Sequence, residues 1–316
     1  MRKLALALAT VALLAGCGYS DTKVPGAVKP EAAPPASSTP CTDTGNPTRS
    51  YAPLAGGVPS PDDLPARSTM AKIQQRGHLV AGVSADSYLL GSRNPFTGVI
   101  EGFDIDMVNQ VAAAIFGTAK GHVQLRVISA ADRIPLLQSG DIDIVARNMT
   151  INCARWDQIA FSAEYFHSGQ KILVQKGSGI TEAAGLSDKR VCAPAGTTSL
   201  DNIQKLAPDA IAVTAGNHTG CLLKFQNGET DAITGDDTVL AGLVAQDPYA
   251  EVVTGQALTD EPYGIGVNQD QVDFVRFINA VLERMRSDGS WQASYARWLK
   301  PSLQTDATQP TPVYGR

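Results

Sequence analysis

From Asp141 to Asp157 the chain reads Asp-Ile-Asp-Ile-Val-Ala-Arg-Asn-Met-Thr-Ile-Asn-Cys-Ala-Arg-Trp-Asp, and this stretch carries the residues best suited to chemistry. A short apolar strand runs out at Ala146 into a loop holding Asn148 and Thr150, and a helical turn then carries Arg155. A buried strand that delivers polar groups and a guanidinium to its C-terminal end makes a site for a small anionic or zwitterionic ligand. The planar, permanently charged fork of an arginine suits a carboxylate, and every free amino acid has one.

The N-terminus indicates where such a site operates. Arg2 and Lys3 precede an apolar run from Leu4 to Ala15, the size of a signal-peptide core and too short to span a bilayer. The run ends Leu14-Ala15-Gly16-Cys17, which resembles a bacterial lipoprotein box. That resemblance implies residues 1–16 as a signal peptide, cleavage before Cys17, and lipidation of the Cys17 thiol with acylation of the new amine. An ordinary cleaved signal with a chance cysteine is the alternative. The expected location is the extracytoplasmic face of the cell membrane, held there by lipid.

Residues 17–65 are expected to form a Pro-rich tether, because 10 of the chain's 19 prolines fall between 18 and 65 with no apolar periodicity. A tail over 301–316 reads as disordered. Between them lie 235 residues, from 66 to 300, enough for two moderate lobes with cores of their own. Loss of Arg2 and Lys3 leaves 24 basic against 31 acidic residues, taking the formal charge from −5 to −7. Mild acidity without a basic cluster offers no footprint for nucleic acid.

With Cys17 set aside, Cys41, Cys153, Cys192 and Cys221 remain, and an even number in an exported protein suggests two disulfides in one of three pairings. Cys192–Cys221 is favoured, since both lie in the second half at the ends of neighbouring elements. Cys41–Cys153 is then left to pin the tether to the loop after the binding strand. The competing four-cysteine metal site lacks any Cys-x-x-Cys pair, so neither a metal nor another cofactor is expected.

Short apolar runs alternate with helical patterns through the body, which predicts an α/β protein of βα units around mixed sheets. Strands are predicted over 78–83, 123–128, 142–146, 171–175, 190–193, 211–213, 231–234 and 263–267. Helices are predicted over 103–116, 132–138, 221–226, 238–244 and 271–286. A last helix carries Trp291, Tyr295 and Trp298, aromatics better suited to a core than to stacking on a ligand. Leu136-Leu-Gln-Ser-Gly-Asp-Ile-Asp-Ile-Val145 parallels Lys224-Phe-Gln-Asn-Gly-Glu-Thr-Asp-Ala-Ile233. In each, a helix ends at a glycine and a strand follows, so two lobes of one topology are expected.

Taken in order, several segments resemble the bacterial extracellular solute-binding proteins of family 3, the polar amino-acid ABC transport type. They are Gly102-Phe-Asp-Ile-Asp-Met107, Arg133-Ile-Pro-Leu-Leu-Gln-Ser-Gly140, Asn148-Met-Thr with Arg155, Phe161-Ser162, and Ser168-Gly-Gln170. Gly196-Thr-Thr-Ser199, Asp236-Asp237 and the closing Asp288-Gly…Trp298-Leu complete the set. The nearest branch is that of actinobacterial glutamate/glutamine-binding lipoproteins. The resemblance implies a two-lobe, type II periplasmic-binding-protein-like fold with the ligand in a cleft between lobes joined by two hinge strands. Lobe 1 would be discontinuous, 66–167 plus 265–300, and lobe 2 would span 168–264.

The same resemblance implies residue roles. Arg155 stands where the family's carboxylate-binding arginine lies, with Thr150 and Asn148 completing the clamp. Asp236 matches the acid that receives the ligand's α-ammonium, against the alternative of a helix N-cap. Thr198 could offer helix N-terminal N–H groups to the carboxylate. Arg133 matches an arginine that glutamate/aspartate binders turn towards the side-chain carboxylate, and His218 lies where they supply a second donor. Arg147 adds positive charge, and Ala130 replaces a frequent aromatic. Ser84 replaces an acid found in some relatives, which removes a charge that would repel an acidic ligand. Against these, Arg133 reads as a solvated first-turn residue and His218 as a loop histidine. The balance favours glutamate or aspartate over glutamine or asparagine.

The expected mechanism is reversible capture with lobe closure by a monomer, and delivery to an ABC permease. One rival is a sensor lipoprotein signalling through a membrane receptor or kinase. A remote rival is a cell-wall lytic enzyme or dehydratase on the same fold, for which Asp86, Glu101 or Glu164 would supply the acid, but no second catalytic partner falls beside them.

Overall fold

The computed structural model describes residues 46–316. The expected signal segment, the lipidation site Cys17 and Cys41 lie outside the described residues.

A five-stranded sheet and a six-stranded sheet organise the molecule. In the first, Leu79–Val83 lies between Val123–Val127 and Ile144–Val145 and runs parallel to both. Gly266–Val267 then pairs antiparallel with Ile144–Val145 on one side and with Ala160–Phe161 on the other. In the second, Arg190–Pro194 runs parallel to Ile211–Ala215 and to Ala232–Asp236. Phe166–Gln175 packs antiparallel against Ala232–Asp236, and Ala250–Val252 against Phe166–Gln175.

Two strands carry the chain between the sheets. The first half of Phe166–Gln175 pairs antiparallel with Thr259–Tyr263, from Phe166 opposite Tyr263 to Gln170 opposite Thr259. Lobe 1 is therefore built from both sides of an insertion, and lobe 2 is the insertion. The predicted 263–267 strand is split in two, because Tyr263 pairs with Phe166 in the crossing ribbon whereas Gly266–Val267 pairs within the lobe 1 sheet.

The cores follow from side-chain periodicity. The Phe103–Phe116 helix turns Phe103, Met107, Val108, Val111 and Ile115 into the lobe 1 core. It starts at Gly102, where φ is +144° and a Cβ would lie 2.3 Å from the Leu90 carbonyl oxygen, so only glycine fits. Successive strand residues point to opposite faces. Leu173, Cys192 and Ile233 thus fill one side of the lobe 2 sheet, while Ile172, Val174, Val191 and Ala232 fill the other. Cys192 and Cys221 are joined, with Cα atoms 5.6 Å apart, and cross-link that sheet to the His218–Gln226 helix. Cys153 is also disulfide-bonded. Trp291 and Tyr295 stack within the lobe 1 core, where Trp291 Nε1 donates to the Tyr165 carbonyl at 2.7 Å.

The repeated helix–glycine–strand unit occurs once per lobe. Gly140 ends Arg133–Ser139 with φ +75°, and Gly228 follows His218–Gln226 with φ +70°.

The described part of the expected tether, residues 46–65, and the expected disordered tail, 301–316, are packed on lobe 1 instead, while residues 17–45 lie outside the described residues. In the tether, Trp156 Nε1 donates to the Pro47 carbonyl, Ser50 Oγ donates to the Phe161 carbonyl, and Asn279 Nδ2 donates to Ser50 Oγ. In the tail, Val313–Tyr314 pairs parallel with Arg49–Ser50, and Gln309 exchanges bonds with the Leu282 carbonyl and Arg286. The physical reason is that these segments are anchored by hydrogen bonds and by irregularly spaced apolar residues such as Tyr51, Leu54, Val58, Leu64 and Leu303 on the lobe 1 core, which leave no hydrophobic period to read.

Candidate ligand-binding site

The loop after Ile144–Val145 holds Asn148 in an unusual backbone setting. Asn148 has φ +38°, and its N–H donates to Asp104 Oδ2 at 2.9 Å. Tyr165 donates its hydroxyl to the other oxygen of Asp104 at 2.7 Å. Burial pushes the Asp104 carboxyl up to about 6 against these two hydrogen bonds and the nearby Arg147 charge. Asp104 and Tyr165 thus hold the loop from behind, a role the sequence reading did not assign.

Further along, Asn152 caps the one-turn helix Cys153–Trp156 by accepting from the Arg155 N–H at 2.9 Å. That turn directs the Arg155 side chain back over the loop, where Nη1 donates to the Thr150 carbonyl at 2.6 Å. Arg155 is 8% exposed. It makes no ion pair within 4.0 Å among the described residues, and neither do Arg133 or Arg147.

Lobe 2 supplies the opposite charge. Asp236 ends the Ala232–Asp236 strand, 3% exposed, with Oδ2 accepting from the Tyr263 hydroxyl at 2.7 Å. Its Oδ1 is buried without a partner. Asp236 occupies the N-cap position of the Asp237–Val244 helix, yet its side chain makes no capping bond. Burial, reinforced by the Glu261 charge, pushes its carboxyl up to about 7.

The lobes meet directly at this cluster. Arg133 Nη2 donates to the Gly196 carbonyl at 3.1 Å across the cleft, and Thr150 Oγ1 lies 3.2 Å from Thr198 Oγ1. Gly196 has φ +73°, and a Cβ there would stand 2.9 Å from the Ala131 backbone. Arg133 is 2% exposed, not solvated, and also donates to the carbonyls of Ala130 and Arg147. Three of the five N–H groups of its guanidinium are thereby used, leaving two for a ligand. Burial, then the charges of Arg155 and Arg147, hold its pKa well below the usual arginine range, with Asp236 opposing them.

Four expected roles are altered by the geometry. Thr150 and Thr198 both donate their hydroxyls to Glu261 Oε2, at 2.6 and 2.7 Å, so those hydrogens are committed. His218 opens its helix with Nε2 turned to the Thr234 carbonyl at 3.3 Å. Burial and Arg147 push the ring down to about 4, so it is neutral with its N–H spent and serves no ligand carboxylate as a donor. Ser84 is buried and organises a turn, donating to Asp86 Oδ1 at 2.7 Å and accepting from the Ser87 N–H at 3.2 Å. The strand end therefore does carry negative charge, since Asp86 acts on both Arg147 and His218. Arg147 keeps a buried Nε without a partner, and so does Asn148 Oδ1.

A pH dependence follows from Asp236. Its raised pKa means the ligand-free fold prefers the protonated acid; that stabilisation is present below the ordinary value of 3.8 and lost as pH rises through about 7. An ammonium group bound at Asp236, the role the resemblance implies, requires the ionised form, so affinity for such a ligand should rise with pH and level off above neutrality. Titration calorimetry is expected to show Kd weakening by up to roughly tenfold per unit below pH 7, with proton release on binding. A Kd constant from pH 5 to 8 contradicts this.

Two α/β lobes on paired crossing strands, with acid and guanidinium buried between them, define a type II periplasmic binding-protein fold. Residues 79–301 match the profile of bacterial extracellular solute-binding proteins, family 3, and the chain belongs to that family. The glutamine-binding protein GlnH of an ABC transporter in Bacillus subtilis (strain 168) is 39% identical over 235 residues, covering 74% of this chain and 85% of the relative. The glutamate-binding protein GluB of Corynebacterium efficiens is 30% identical over 243 residues, covering 74% of this chain and 81% of the relative. Among solved structures, an ancestral arginine-binding protein bound to glutamine superposes with a TM-score of 0.66 at 32% identity, covering 71% of this chain and 98% of that one. The family is one of amino-acid-binding components of ABC transporters.

Proposed function

We propose that this chain captures a free acidic amino acid, glutamate or aspartate, by lobe closure and passes it unchanged to an ABC permease. The observation that carries the reading is charge left uncompensated in the cleft. Three buried guanidiniums, Arg133, Arg147 and Arg155, have no carboxylate within 4.0 Å among the described residues, while Asp236 Oδ1 has no donor. A buried charge calls for a partner. In this reading Arg155 pairs the α-carboxylate, Asp236 the α-ammonium, and Arg133 with Arg147 the side-chain carboxylate.

Glutamine is the second reading, favoured by the 39% identity to GlnH and by the negative charges of Asp86 and Glu261 near the same cluster. Arg133→Ala separates the two. Glutamate and aspartate affinity should fall at least tenfold more than glutamine affinity in parallel calorimetric titrations, since a charge-assisted bond is lost only for the acids, on the order of 1.5–3 kcal/mol. Equal losses for both classes would sink the acidic assignment.

Binding without turnover is part of this proposal. Glu164 is paired with His167 at 2.8 Å and Glu101 accepts from Asn94 at 2.8 Å, so two of the acids a hydrolytic reading would use are engaged elsewhere. Recovery of the amino acid chemically intact after prolonged incubation is the check. We also place the protein at the extracytoplasmic membrane face, anchored through Cys17. A sensor role through a membrane receptor fits the same binding site, and permease and ATPase genes beside this one would favour transport.

A further inference from the structure

We propose that Glu261 is a latch between the lobes: a positioning residue that stabilises the closed form without touching the ligand. This rests on the reading above only in taking the closed form as the one that holds an amino acid. Glu261 lies on the Thr259–Tyr263 crossing strand and is 1% exposed, with no Lys, Arg or His within 4.0 Å among the described residues. Its carboxylate is held by neutral donors alone. Oε2 accepts from Thr150 Oγ1 of lobe 1 at 2.6 Å and from Thr198 Oγ1 of lobe 2 at 2.7 Å. Oε1 accepts from Asn202 Nδ2 of lobe 2 at 3.0 Å and from Thr259 Oγ1 on its own strand at 2.7 Å.

One buried charge therefore gathers donors from both lobes and from a strand that joins them. A buried carboxylate is tolerated when donors surround it, and its cost rises steeply as they are withdrawn. Thr150 follows a lobe 1 strand, whereas Thr198 and Asn202 ride on the first helix of lobe 2. Separating the lobes pulls these donors apart, so the full set exists only when the cleft is shut. The latch makes no contact that depends on the ligand's side chain.

The test is the kinetics of glutamate and glutamine binding to the whole protein, followed by tryptophan fluorescence in a stopped-flow instrument. A contact made only after closure slows release and leaves encounter unchanged. For Glu261→Gln, the dissociation rate should rise about tenfold and by the same factor for both ligands, with the association rate within about twofold of wild type. Thr198→Val, which removes a single donor, should move the same rate in the same direction by a smaller factor. A fold defect would instead lower the active fraction and leave the dissociation rate of the remainder untouched. Unchanged dissociation rates in both variants, or unequal factors for the two ligands, overturn the latch while leaving the proposed function standing. A wild-type chain that binds neither amino acid overturns both.

Discussion

Arg155→Ala should abolish measurable binding of every free amino acid, acidic or not. The guanidinium is buried, carries no ion pair among the described residues, and is aimed by two backbone-directed contacts: the Asn152 cap on its N–H and its own bond to the Thr150 carbonyl. Removing it leaves a ligand carboxylate buried and unpaired, a cost on the order of 2–5 kcal/mol, which is roughly 30- to several-thousand-fold in Kd. Lysine is a poor substitute here, because a point charge cannot offer the two parallel N–H bonds of the fork. The expected order in calorimetric titration is therefore wild type, then Arg155→Lys, then Arg155→Ala. The fold should survive, since the turn also rests on the Cys153 disulfide and the Trp156 bond to Pro47. Retention of binding within tenfold of wild type would show that the carboxylate sits elsewhere.

Asp236→Asn is expected to act with opposite signs on binding and stability. The amide preserves the shape and can still accept from Tyr263, but the α-ammonium loses its counter-charge, costing on the order of 2–5 kcal/mol of affinity. In the ligand-free protein the same change removes an acid that burial pushes up to about 7, so its ionisation no longer opposes folding at pH 8. Melting temperature without ligand should rise most at pH 8, less at pH 5, where the acid is protonated in the fold but ionised in the unfolded chain, and little below the ordinary value of 3.8. The variant should also lose the pH dependence of whatever binding remains. Lower ligand-free stability at pH 8, or wild-type affinity, would contradict the role given to Asp236.

Much of the architecture is legible in the chain, for identifiable reasons. The 103–116 helix is readable from Met107, Val108, Val111 and Ile115 on one face, and the structure gives it the same limits. Strands such as Leu79–Val83 and Arg190–Pro194 stand out as apolar runs. The ribbon of Arg49–Ser50 with Val313–Tyr314 carries no such pattern and is not legible. At the site, the resemblance singles out both Arg155, on the one-turn helix after the Ile144–Val145 strand, and Asp236, at the end of the Ala232–Asp236 strand. Asp104, Tyr165, Glu261 and Tyr263 are not assigned a role, because each acts through a partner distant in sequence, as Glu261 does with Thr150 111 residues away. Local sequence does not single out Glu261 either, since it stands beside Asp260 in the Thr259–Tyr263 strand. The neutral state of His218 is likewise set by burial and by Arg147, which no local reading supplies.

The proposed ligand is a free acidic amino acid held in the cleft between Arg155 and Asp236. Calorimetric titration of the purified protein at pH 7.5 with glutamate, aspartate, glutamine and asparagine addresses it most directly. One-to-one binding is expected, with glutamate or aspartate tighter than both amides. Tighter binding of glutamine would contradict the selectivity, and failure to bind any of the four would contradict the proposal itself.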